Sequence, residues 1–153
     1  MDSETLHQMI ERYNAASFTV NRRLNALIRD IVPDDITPDQ CWALRYLREN
    51  GRTTSSELAD IFCVAKSSIT AIITRLSDKK LIDRIPDEKD RRVTYLALTP
   101  EGEEITRLFD RKLGDLLSQF LVFFDYKEVR TFIETFEKLA AVLVHTQGQP
   151  ESK

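Results

Sequence analysis

No apolar run in this sequence approaches the roughly 18 residues that a membrane-crossing helix needs, and the opening MDSETLHQMIERYN has neither a basic leader region nor an apolar core. The expectation is a cytoplasmic chain with no membrane partner. Cysteine is scarce: Cys41 and Cys63 form no CxxC redox or zinc motif and no disulfide framework, so both are expected to be reduced thiols. His7 and His145 lie near opposite ends and share no ligand-like spacing with the cysteines, which leaves no metal or other cofactor implied. There is no glycine-rich phosphate loop, nucleophile elbow or pair of catalytic carboxylates, and the chain reads as a non-enzyme. Nor is there a net positive charge, since the formal balance is -3.

That balance hides an uneven distribution. From Lys66 to Arg92 the chain carries eight basic residues against five acidic ones, a local excess of positive charge on an otherwise acidic body. Such asymmetry suits one anion-binding face on a soluble domain. The 153 residues, 42% apolar and 31% charged, are enough for one domain with a real core, or one domain with a helical appendage.

Periodicity makes the chain mainly α-helical. Leu6, Ile10, Tyr13, Val20, Leu24, Leu27 and Ile31 recur every three or four positions, with a gap at Ser17, and predict a long amphipathic helix ending before Pro33. In ITPDQCWALRYLRENG, Thr37 is placed as N-cap, Pro38 at the first helical position and Gly51 as terminator, with Cys41, Leu44 and Leu47 facing inward. Thr54 and Glu57 have capping-box spacing ahead of Leu58, Ile61 and Phe62, which starts a third helix. In AKSSITAIITRLSDKK, Ile69, Ile72, Ile73 and Leu76 share one side of a helix. Ser67, Ala71, Thr74 and Asp78 face away, flanked by Thr70 and Arg75.

Two short helices, the second with a small polar face, have the layout of a helix-turn-helix. A solvated face with no partner would look the same at this point. The next stretch, LIDRIPDEKDRRVTYLALT, reads as two short strands around a charged loop, because Val93, Tyr95 and Ala97 alternate with Thr94, Leu96 and Leu98. Thr99, Pro100 and Glu101 then begin another helix. Two apolar stripes follow, one from Ile105 to Leu121 and one from Phe132 to Leu143. Together with the first helix they offer more apolar surface than a small DNA-binding module can cover.

In this order of elements the chain resembles the MarR-type winged-helix transcriptional regulators, in motif detail from about Thr37 to Gly102 and in helix order over nearly its whole length. The strongest part is DRRVTYLALTPEG. The resemblance implies a mainly α fold with a small β-wing, in which residues 1–32 and 100–147 form a helical dimerisation domain and 33–99 a winged helix-turn-helix. Residues 148–153 are expected to be a disordered tail. It also implies a homodimer on double-stranded DNA, with Lys66, Ser67, Ser68, Thr70, Ala71, Thr74 and Arg75 on the recognition helix and Lys89, Asp90, Arg91 and Arg92 on the wing. Arg92 would enter the minor groove, positioned by a salt bridge from Asp90. A small aromatic or phenolic ligand is the typical inducer. The chain departs from the family pattern at Cys63 and Lys80, where glycine is common, at Ala65, where a serine often caps the recognition helix, and at Ala71, where a longer polar residue is frequent.

Three functions are consistent with these residues. The first is a dimeric repressor released from a pseudo-palindromic operator by a small molecule. The second is a thiol-based redox regulator of the same fold, and the third a helical protein-interaction module without DNA binding.

Overall fold

The computed structural model describes residues 2–146, so the expected disordered tail at 148–153 lies outside the described residues. The chain divides after Leu113 into two compact units. The first contains α1 (Ser3–Ile31), α2 (Pro38–Asn50), β1 (Thr53–Thr54), α3 (Ser55–Phe62), α4 (Lys66–Asp78), β2 (Ile82–Pro86), β3 (Thr94–Leu98) and the start of α5 (Pro100–Leu121). The second has the end of α5 and then α6 (Tyr126–Thr146). The fold is a mainly helical one with a small antiparallel sheet, as the alternation of patterns predicts.

Each helix boundary has a local cause. Asp2 accepts the Thr5 N–H at 2.8 Å to start α1, which stops at Ile31, two residues before Pro33. The Thr37 hydroxyl accepts from the Gln40 N–H at 3.2 Å, and the Gln40 amide oxygen accepts from the Thr37 N–H in return. Gly51 closes α2 at φ 73°, a conformation that glycine adopts without cost. Thr54 and Glu57 form the second reciprocal box, at 3.2 and 2.9 Å. Ala65 begins α4 with no side-chain cap, as an alanine must.

Cys63 and Lys80, on either side of α4, both have positive φ, 52° and 58°. A side chain in this left-handed region costs about 1–2 kcal/mol. Matching hydrogen bonds offset that cost. Val64 N–H reaches back to the Ala59 carbonyl at 3.1 Å and Leu81 N–H to the Leu76 carbonyl at 3.0 Å. Cys63 and Lys80 donate to Asp60 and Ser77. Both turns are therefore closed by the backbone, with no glycine needed.

The sheet has the order β1-β3-β2, all antiparallel. The sequence predicts two strands; the third, β1, pairs Thr53 with Leu96 and Thr54 with Tyr95. A strand of two residues is too short to alternate visibly. α4 packs on α3 and β2, and Leu44, Leu58, Ile69, Leu76, Leu96 and Phe109 are at most 1% exposed. Ile61, expected inside, is 53% exposed, because the buried side of α3 is centred on Leu58 and Ala59. At the base of the wing the Thr99 hydroxyl donates to the Lys80 carbonyl at 2.8 Å and accepts the Gly102 N–H at 3.1 Å. A second tie joins α2 to α5: Arg45 meets Asp110 at 2.9 Å, and Arg48 binds both Asp110 and the Thr106 hydroxyl.

The second unit presents its apolar residues outward. α6 has no buried residue, and Phe132 and Phe136 stack at 5.3 Å while remaining 62% and 59% exposed. On α1, in the first unit, Tyr13 and Phe18 are similarly open. No helix among the described residues is long and apolar enough to cross a membrane.

Candidate nucleic-acid interface

The wing tip is a constructed turn rather than a loose charged loop. Asp87 Oδ1 accepts the N–H groups of Lys89 and Asp90 at 2.8 and 2.9 Å, and Asp87 N–H donates to the Val93 carbonyl across the hairpin. These backbone donors, Asp90 first, hold the Asp87 carboxyl below the usual carboxylate range. Asp90 serves Arg92 in three ways. Its Oδ1 accepts the Arg92 N–H at 3.0 Å and Nε at 3.1 Å, and its Oδ2 accepts the terminal guanidinium nitrogen at 3.1 Å. The guanidinium chiefly, then the backbone N–H, lowers the Asp90 pKa. A depressed carboxylate is charged above its ordinary pKa and loses the contact only as pH falls through the lowered value, so the pair is intact at neutral pH. Arg92 is 90% exposed while held there, a fixed cation at a protruding tip.

Between this tip and α4 lies a groove of about 520 Å³. Thr70 from α4 and Arg92 from the wing line it together. Ser67, Ser68, Ala71, Thr74, Arg75 and Lys66 are all exposed on α4. Arg91 is exposed at the tip, whereas Lys89 lines a different hollow on the wing with Arg52 and Tyr95. Lys79, one of the basic cluster, is tied to Asp35 at 3.2 Å. The groove also takes in residues outside the candidate site read from the sequence, Ser55 and Ser56 at the start of α3, Thr94 on β3 and, on β2, Arg84, which counts only as one of the basic cluster. Arg84 is placed there by register. It pairs with Leu96, and directly opposed residues share a sheet face. The capping box at Thr54 could have pointed to Ser55 and Ser56, since it puts them in the first turn of a helix; nothing local marks Arg84.

Hydroxyls, a helix start and two arginines around one groove match the chemistry of a nucleic-acid duplex. Hydroxyls and N–H groups suit phosphates and base edges, and guanidinium groups suit phosphates, guanine edges or a narrow minor groove. Cys41 offers no reactive thiolate: burial first, then the Asp35 charge, pushes its thiol up to about 11. No cluster of metal-ligating side chains occurs among the described residues.

Comparison with known proteins agrees with this geometry. Residues 36–94 match the model of the MarR family. An HTH-type transcriptional regulator of Bacillus subtilis (strain 168), YpoP, is 30% identical over 120 residues, covering 78% of this chain and 85% of that one. The HTH-type transcriptional repressor MdtR of the same organism is 34% identical over 129 residues, covering 76% and 81%. Among solved structures, a cysteine-to-serine variant of MarR from E. coli, complexed with operator DNA, is similar with a TM-score of 0.74 at 26% identity, covering 88% of this chain and 97% of that one. With its winged helix-turn-helix and these relatives, the chain belongs to the MarR family of DNA-binding transcriptional regulators.

Proposed function

We propose that the chain is a homodimeric repressor that binds a pseudo-palindromic operator and leaves it when a small aromatic or phenolic ligand binds. The observation that carries the DNA-binding part is Arg92, gripped at its backbone and guanidinium by Asp90 and presented across a groove from α4. In this reading residues 33–99 bind DNA. α4 lies in the major groove with Lys66, Ser67, Ser68, Thr70, Ala71, Thr74 and Arg75 toward bases or phosphates, and Lys89, Asp90, Arg91 and Arg92 address the adjoining minor groove and backbone. The operator-bound E. coli relative and the repressor MdtR support it.

Arg92→Ala is expected to weaken specific binding by about 1–3 kcal/mol, the usual worth of a good groove contact. Asp90→Ala does smaller harm, because the guanidinium remains but is no longer aimed. Mobility-shift titration against DNA retained from a random pool tests both; wild-type affinity in both variants at physiological salt would remove the wing from the interface.

Dimerisation is supported by the open apolar faces of α1, the end of α5 and α6, which water would not leave uncovered in a stable monomer. The proposed dimerisation segments are 1–32 and 100–147. Ligand control is supported by a cleft of about 270 Å³ between α1 and the start of α2. Arg29 provides a cation for a carboxylate, and Trp42 provides an aromatic wall. Trp42 is the only tryptophan in the chain, so salicylate bound there is expected to quench intrinsic fluorescence at the concentrations that release DNA. Arg29→Ala is expected to weaken the quenching about tenfold or more, as for loss of a charge-assisted hydrogen bond. Quenching that is identical in Arg29→Ala would place the ligand elsewhere.

A further inference from the structure

The hydrogen bonding of α4 carries information about which bases it reads. Thr70 Oγ1 donates to the Lys66 carbonyl at 2.7 Å, one turn back along the helix. Its only donor proton is thereby committed, and an exposed Thr70 has left to offer a hydroxyl oxygen that can only accept and a γ-methyl group. Ala71, beside it, offers a methyl group and nothing else, and is also exposed. Thr74 is one turn further on the same side as Thr70 and adds a second γ-methyl.

The rest of the helix leaves few other means of reading bases. Between Lys66 and Asp78 there is no Asn, Gln or Glu, so the two-bond contact of an amide side chain with adenine is absent, and the one carboxylate that could accept from cytosine, Asp78, stands at the last residue of the helix. Arg75 is the one guanidinium on the helix, and Lys66 the one ammonium, at its first residue. Ser67 and Ser68 lie in the first turn with Lys66, where hydroxyls and N–H groups suit phosphate oxygens. The centre of the helix face therefore offers three methyl groups, from Thr70, Ala71 and Thr74, beside two threonine hydroxyls, between a phosphate-binding start and a single arginine. One base edge in the major groove carries a complementary apolar group, the C5-methyl of thymine.

We infer that Thr70, Ala71 and Thr74 read thymine C5-methyl groups, so that A·T pairs in each half-site are recognised from the thymine side by apolar contact. This rests on the reading of α4 as the major-groove element. Both γ-methyls and the Ala71 methyl are small and rigidly mounted, because Ile69, Ile73 and Leu76 on the reverse side are buried. A contact of this kind tolerates no displacement of the helix and discriminates against cytosine and uracil alike.

The test replaces thymine by deoxyuridine, which deletes the methyl and leaves base pairing and the minor groove unaltered. Full-length protein is first used to select duplexes from a random pool, and each thymine of the selected half-site is then replaced singly. The expected result is that one or more positions weaken binding about fourfold, the worth of one methyl group removed from water. Thr70→Ser keeps the hydroxyl and its bond to Lys66 but lacks the methyl, and is expected to bind the thymine and uracil duplexes equally at one such position. Rescue of the methyl by 5-methyldeoxyuridine's isostere 5-bromodeoxyuridine, with a substituent of similar size, restores wild-type affinity.

Two failures are distinguishable. If selection returns no enriched sequence and the protein binds all duplexes alike, the major-groove reading and this inference fall together. If an operator is selected but no deoxyuridine substitution matters, or Thr70→Ser and Thr74→Ser keep full discrimination at every position, α4 reads that operator by other contacts and this inference alone is overturned.

Discussion

Inserting five base pairs between the two half-sites of the preferred operator is expected to abolish specific binding by the intact protein. The physical reason is geometric. A two-fold dimer holds its recognition helices about 34–36 Å apart, one turn of DNA, and an insertion of about half a turn carries the second half-site to the opposite side of the duplex. One α4 and one wing then remain on their site, and the loss is expected to be at least about a hundredfold, since even a single mismatched base pair costs about 1–3 kcal/mol. In the proposed dimer the rigidity this requires would come from apolar contact. Tyr13 and Phe18 of α1, and Phe132 and Phe136 of α6, are more than half exposed in the single chain, and their burial against a second copy would fix the spacing. Titration of the original and the lengthened duplex at one salt concentration reads the effect. Equal affinity for the two would mean that the half-sites are bound independently, and the two-fold mechanism would be wrong.

Gly102→Ala is expected to be the most destabilising conservative change in the chain. A Cβ at this position would overlap the backbone carbonyl oxygen of Leu81 and press on the Leu98 side chain at 3.3 Å. Backbone cannot rotate aside as a flexible side chain can. The Gly102 N–H also donates to the Thr99 hydroxyl, which in turn binds the Lys80 carbonyl, so a shift of the α5 start disturbs the turn that ends α4. The cost is expected to be about 3 kcal/mol, at the upper end for forced overpacking, and to lower the melting temperature by about 6–12 °C in a chain of this length. Gly114, in the same helix, meets nothing within 4 Å, so Gly114→Ala in the isolated chain is the matched control. A Gly102→Ala protein that melts with the wild type would show that α5 can slide away from the wing base freely.

Much of this architecture was legible in the sequence where local chemistry decides it. The Thr37–Pro38 start and Gly51 stop of α2, the Thr54–Glu57 box and the inward face of α4 are all set by residues within one or two turns of each other. The Asp90–Arg92 contact, only two residues apart, was implied by family resemblance and is present at 3.1 Å. What escaped was set at long range. β1 exists because Thr53 and Thr54 find an edge of β3 far along the chain. Arg84 joins the groove because of its register against Leu96, and Asp110 is distant in sequence from the arginines it binds. Neither periodicity nor capping carries such information. Composition counts Lys79 toward the basic cluster but does not show its pairing with Asp35, distant in sequence.

The closed turns at Cys63 and Lys80 also bear on how readily this regulator can acquire a new target. They hold α4 by backbone hydrogen bonds, and its buried side is held by Ile69, Ile73 and Leu76. The outward side chains at Ser67, Ala71 and Thr74 therefore carry almost none of the folding free energy, and substitutions there fall within about 0.5 kcal/mol of neutral. Variation on this outward face is nearly free of a stability threshold, whereas at Cys63 and Lys80 every side chain bears the cost of a left-handed backbone, least for Gly, Asn and Asp. With α4 as the reading helix proposed above, a lineage, or a designed library, could walk from one operator to another in single steps without passing through an unfolded intermediate, provided those two turn positions are left alone.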